Sequence, residues 1–113
     1  MTSALLALGP WLRAFAFTQL VEVPIYRRAF ACSALEAFSA SALPHPVVWF
    51  GLFGPYWHAS YLTKSVTAEC FAWLVEAAYF SARGRTRTLL WSFVANGASV
   101  GLGLLSRALF GVP

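Results

Sequence analysis

Four apolar runs follow one another along the chain with only brief polar interruptions. They cover residues 10–26, 29–53, 60–82 and 88–109, separated by Arg27-Arg28, by Gly54-Pro55 and by Arg83-Gly84-Arg85-Thr86-Arg87. A helix rises about 1.5 Å per residue, so about 20 residues cross a hydrocarbon core of about 30 Å. Each run approaches that length. None alternates strictly between apolar and polar positions, and four strands are too few for a closed barrel. The pattern predicts an all-α fold: an integral membrane four-helix bundle in a single transmembrane domain spanning residues 1–113. Pro10 is expected in the first helical turn, where its missing N–H costs nothing. Pro44 and Pro46 are expected to break or kink the second helix.

A weak internal repeat accompanies the four runs. Val21-Glu22 with the following Tyr26, then Ala40-Ser41-Ala42, has a counterpart in Val75-Glu76 with Tyr79, then Ala95-Asn96-Gly97. Each half is one helical hairpin, so the sequence predicts two parallel hairpin repeats related by an axis along the membrane normal. Glu22 then matches Glu76, and Ser41 matches Asn96.

Composition strengthens the membrane reading. Charged residues make up 11% of the 113 residues, against about 25% in ordinary soluble domains. Hydrophobic residues reach 59% and aromatics 17%. The net charge of +4 comes from arginines in connections and near span ends, which reads as membrane orientation and gives no reason to expect nucleic acid. Arg27, Arg28, Arg83, Arg85 and Arg87 lie in the connections after the first and third runs. Lys64, Arg13 and Arg107 belong to the other side or to span ends. The short arginine-rich connections are expected in the cytoplasm and both termini outside. Tyr26, Tyr79 and Trp91 fall near the inner boundary, and Trp11, Tyr56, Trp57 and Tyr61 near the outer one, as in a double aromatic belt. The opening apolar stretch 4–8 is short and has no basic residues before it, so no cleaved signal peptide is expected.

All four acidic residues, Glu22, Glu36, Glu69 and Glu76, lie inside these runs. An unpaired charge there costs about 2–3 kcal/mol or more. These four are the candidate proton or cation site. Counted from the inner helix ends, Glu22, Glu36 and Glu76 are expected at one depth, roughly 6–10 Å in, with Arg27 and Arg28 in reach. Glu69, on nearly the same face as Glu76, is expected to pair with Arg13 on the first helix. His45, between two prolines, is a further polar candidate, as are Asn96, Tyr26 and Tyr79. Gly97 and Gly101 form a GxxxG pair, which predicts close helix packing. Cys32 and Cys70 have no metal-ligand spacing and read as small hydrophobes.

The segments Glu22-Val23-Pro24-Ile25-Tyr26, Pro44-His45-Pro46-Val47-Val48-Trp49-Phe50, Glu69 with Glu76, and Ala95-Asn96-Gly97-Ala98-Ser99 resemble small multi-pass bacterial membrane proteins of uncharacterised function. The resemblance spans most of the chain. It implies a multi-pass protein of a bacterial inner (cytoplasmic) membrane and brings no catalytic role.

Two functions fit these observations. In one, the glutamate-bearing bundle translocates protons or small cations, as an oligomer because four short helices enclose little space. In the other, the chain is an accessory or assembly subunit whose buried charges meet partner helices in a larger membrane complex. Its partners are expected to be the lipid bilayer and copies of itself or other membrane chains. No nucleophile–base arrangement, phosphate loop, metal site or cofactor site is legible, so no enzyme activity is expected.

Overall fold

A computed structural model describes residues 3–52 and 58–111. Four α-helices account for most of them: α1 (Ser3–Phe30), α2 (Ala34–Ala42), α3 (Tyr61–Ala82) and α4 (Thr88–Phe110), with a π-helical segment at Val47–Leu52 between α2 and α3. No strand occurs among the described residues. Contacts are most extensive between α3 and α4, α1 and α4, and α1 and α2.

The helix ends have local causes. α1 begins well before 10 and runs through Arg27-Arg28 to Phe30, so Pro10 and Pro24 both lie inside it. Pro10 is therefore not in the first turn; residues ahead of it already adopt helical geometry. Ala31 then takes a left-handed conformation at φ 50° and ends the helix. The break expected at Pro44 and Pro46 is made: the second run is a nine-residue helix followed by the π-helical segment, and its first residues, 29 and 30, belong to α1. Ser33 caps α2 by accepting the Glu36 N–H at 3.1 Å, in the S-x-x-E pattern that marks a helix start. At the other end the helix stops at Ala42, just before Pro44 and Pro46, which cannot donate to the preceding turn. After α3, Gly84 sits at φ 81°, and its N–H reaches the Ser81 carbonyl at 3.0 Å while the Arg85 N–H reaches the Phe80 carbonyl at 3.0 Å. This pair of bonds is a Schellman stop, and its left-handed residue favours glycine.

Polarity is distributed inside out. Leu20, Leu35, Leu62 and Phe110 are each more than 70% exposed, and Leu, Val and Phe side chains cover much of the remaining surface. Gln19, Glu22, Glu36, Ser41, Glu76, Thr88, Ser92 and Asn96 are buried. The apolar interior consists largely of alanines, among them Ala37, Ala40, Ala77 and Ala95, which let helices approach closely. One aromatic group fills the gap between α1 and α3. Phe80 lies 4.5 Å from both Tyr26 and Phe30, centroid to centroid. Among the described residues one helix, α4, is long and apolar enough by itself to cross a membrane.

Candidate functional site

Helical spacing puts a polar column on α1. Thr18, Glu22 and Tyr26 follow one another at intervals of four, so all three face the bundle. α3 presents Glu69 and Glu76, two turns apart, and α4 presents Ser92, Asn96 and Ser99. These faces meet around a cavity of about 70 Å³ lined by Glu22, Glu69 and Glu76, with Ser41, Asn96 and Ser99 among its polar walls. Pro44, His45 and Val48 close one side, so the broken second helix contributes a wall rather than a span. A polar cavity needs only about 10–15 Å³ of such volume per water, so this one holds several water-sized occupants.

The carboxyl groups are held by donors. Ser41 Oγ donates to Glu22 Oε1 at 2.9 Å. Asn96 Nδ2 donates to Glu76 Oε1 at 3.2 Å, and the Tyr26 hydroxyl donates to the same oxygen. Glu22, Glu76 and Ser99 share the walls of the same cavity. Behind Glu76 the network ends on backbone: Asn96 Nδ2 also donates to the Ser92 carbonyl at 2.8 Å, and Ser92 Oγ donates to the Trp73 carbonyl at 2.8 Å. Orientation of Glu76 is thus set from α1 and α4 together. His45 presents its ring edge-on to Phe15, with centroids 5.2 Å apart. Gln19, about one turn before Glu22 on α1, is buried, and among the described residues neither of its amide atoms has a hydrogen-bond partner.

Glu36 belongs to a different place. It does not line the cavity; it sits in the first turn of α2 and meets the connection between α3 and α4. Arg85 grips it with two bonds, Nε to Oε2 at 2.9 Å and Nη2 to Oε1 at 3.1 Å, and sends Nη1 to the Phe30 carbonyl at 3.1 Å. Arg83 Nε adds a contact to Oε1 at 3.0 Å, and its guanidinium lies 5.7 Å from the centre of the Tyr79 ring. Two guanidinium groups cover the carboxylate at the end of the bundle. The bonds to Glu36 hold Arg85 above its ordinary pKa. The Schellman stop aims Arg85 here by folding the chain back after Gly84.

Several sequence expectations change accordingly. The facing carboxyls are Glu22, Glu69 and Glu76, and not Glu22, Glu36 and Glu76. The arginines that meet a buried acid are Arg83 and Arg85; among the described residues neither Arg27 nor Arg28 forms an ion pair. Arg13 is exposed and forms no pair with Glu69. Nine residues separate it from Glu22, two and a half turns, which turns it to the far side of α1. Tyr79 stands outside the cavity, edge-on to Phe80 at 5.5 Å. Tyr26 reaches the carboxyl group, and the ring packed at a tilt against it is Phe80, four residues after Glu76 as Tyr26 is four after Glu22. Among the described residues a Cβ added at Gly97 or Gly101 would meet no atom within 4 Å, so the close approach expected there is not made among them. Thr18, Gln19 and Ser92 were not among the sequence candidates. Their spacing of three or four residues from Glu22 and Asn96 is the signal that points to them.

Among the described residues no three His, Cys, Asp or Glu side chains converge tightly enough to hold a metal ion. No protein-family model, curated protein or solved structure matches the chain.

Proposed function

We propose that this chain is a multi-pass membrane protein whose carboxyl-lined cavity passes protons or small cations across a bacterial inner membrane, working as an oligomer. The observation that carries the reading is the cavity itself: three glutamates and a histidine-bearing broken helix around about 70 Å³ inside a bundle whose outside is leucine and phenylalanine. Carboxylates that face one another repel when all are ionised, and nearby hydrocarbon strengthens that repulsion. Such a group exchanges protons with whatever reaches it. The donors favour protons as cargo. Glu22 Oε1 and Glu76 Oε1 already accept from Ser41, Tyr26 and Asn96, which leaves fewer lone pairs for a dehydrated cation.

Membrane integration rests on the inside-out polarity and on a longest dimension of 42 Å, near the thickness of about 40–45 Å of a bilayer with its headgroups. α1 and α3 cross with their glutamates and glutamine turned into the bundle. The arginines of residues 83–87 favour a cytoplasmic location for that connection and outside termini. Reporter fusions after Gly84 and at Pro113 test the orientation, and a cytoplasmic reporter active at Pro113 contradicts it. The two hairpins are read as parallel repeats because Ser41 bonds Glu22 and Asn96 bonds Glu76. The direct experiment on function uses the purified chain in liposomes with a pH-sensitive dye inside and an imposed potassium diffusion potential. Proton entry that depends on the protein supports the reading.

A second reading is favoured by one observation. The Gly97 and Gly101 positions of α4 are exposed and uncovered, a surface on which another membrane helix fits closely. In this reading the chain is an accessory or assembly subunit. Absence of flux together with stoichiometric copurification of another membrane chain supports it over transport.

A further inference from the structure

The arginines at the inner end of the bundle divide into two groups. Arg83 and Arg85 are taken up by Glu36. Arg27 and Arg28 are exposed at the end of α1 and meet no carboxylate among the described residues. They border an open groove of about 630 Å³ whose other walls are Val23, Pro24, Ala31 and Cys32. The groove continues an outward face of α1. Leu20, Pro24 and Arg28 follow at intervals of four residues and are all exposed, with exposed Ala31 just past the helix end. Along this face the chain is apolar toward the middle of the helix and doubly cationic at its end. That is the polarity profile of one phospholipid leaflet, with acyl chain below and phosphate above.

We infer that this groove is a headgroup site for an anionic phospholipid, with the phosphate held between Arg27 and Arg28 and an acyl chain lying along Leu20 and Pro24. Guanidinium groups suit phosphate because they present several N–H donors in a fixed planar fork. Charge complementarity selects the headgroup: the neighbouring acid, Glu36, is already neutralised by two arginines, so no unpaired carboxylate among the described residues opposes an anion here. Pro24 contributes shape, since it has no N–H and leaves the Leu20 carbonyl without its helical donor. This inference rests on membrane integration and is independent of what the carboxyl cavity does.

Native mass spectrometry of the intact chain, released from micelles containing equal phosphatidylglycerol and phosphatidylcholine, tests it. The expected result is retained phosphatidylglycerol in preference to phosphatidylcholine, by roughly fivefold for each arginine engaged. Arg27→Gln with Arg28→Gln should abolish the preference, while Arg87→Gln, which also removes a nearby positive charge, should keep it. Circular dichroism of each variant shows whether the helices persist. If the double variant does not fold, the single Arg28→Gln change should still lower the preference. Equal retention of the two lipids by the folded wild-type chain overturns the headgroup site while leaving membrane integration standing. A preference that survives the double change does the same. A chain recovered only in the aqueous fraction overturns both.

Discussion

The Tyr26 hydroxyl donates to the carboxyl group of Glu76, tying the C-terminal end of α1 to the C-terminal third of α3. Both residues are almost fully buried, and the same hydroxyl lies 3.3 Å from Ser92 Oγ on α4. Three helices therefore share one phenolic oxygen. Its ring packs against Phe80 and Phe30, so apolar packing positions the hydroxyl and the hydroxyl orients the acid.

Tyr26→Phe separates these two contributions. The aromatic stack survives, while Glu76 Oε1 loses a donor and keeps only Asn96. Leaving a buried acceptor short of a partner costs about 1–3 kcal/mol. Thermal unfolding in detergent should show a lower midpoint with unchanged helix content. An unchanged midpoint would mean that Tyr26 does not hold Glu76.

At the end of the bundle formed by the connection between α3 and α4, Glu36→Gln removes the charge that gathers Arg83 and Arg85. The side chain remains long enough to hydrogen-bond, but the two-pronged grip of Arg85 is lost. Amide hydrogen exchange across residues 83–88 should become faster, with little change in α4 beyond its first turn. The wild-type connection should also exchange faster as salt is raised, because both arginines are partly open to solvent. Exchange insensitive to both changes would show that this ion pair does not order the connection.

Gly97→Ala and Gly101→Ala distinguish packing within the chain from packing between chains. Neither new methyl group meets a neighbour, and alanine is favoured over glycine in a helix by about 1 kcal/mol. The isolated chain should become slightly more stable. If copies of the chain or partner helices use this face, the same substitutions should lower association, read by chemical crosslinking in membranes. A loss of stability in the isolated chain would mean that α4 is buried on this face after all.

Hydrophobic patterning made the number and approximate course of the helices legible, because length and run boundaries leave few alternatives to four helices. The break at Pro44 and Pro46 was legible from the prolines, but patterning could not show that the second run opens with the end of α1 and a turn before α2. Val47, Val48, Trp49 and Phe50 read equally well as α or π backbone, and the capping pattern Ser33-x-x-Glu36 was submerged in an apolar stretch. The same masking misplaced Glu36. Measured by depth it belongs with Glu22 and Glu76, but it sits in the first turn of a short helix and turns to Arg85. Spacing by three and four correctly grouped Glu69 with Glu76. The same spacing places Arg13 on the side of α1 away from Glu22. Which hydroxyls reach which acids depends on helix rotation across contacts, and one chain read by periodicity does not contain it.

Central to the account is that Glu76 passes protons rather than merely filling the bundle. Glu76→Gln preserves shape, and the amide oxygen accepts from Tyr26 and Asn96 as the carboxylate does. Folding should survive with a change below about 1.5 kcal/mol, the ordinary net value of one hydrogen bond. Proton entry into dye-loaded liposomes, measured side by side for wild type, Glu76→Gln and Glu36→Gln, is the most direct test. The account predicts wild-type flux, flux retained with Glu36→Gln, which lies outside the cavity, and flux abolished with Glu76→Gln in a folded protein. Wild-type flux that persists undiminished in folded Glu76→Gln would contradict it.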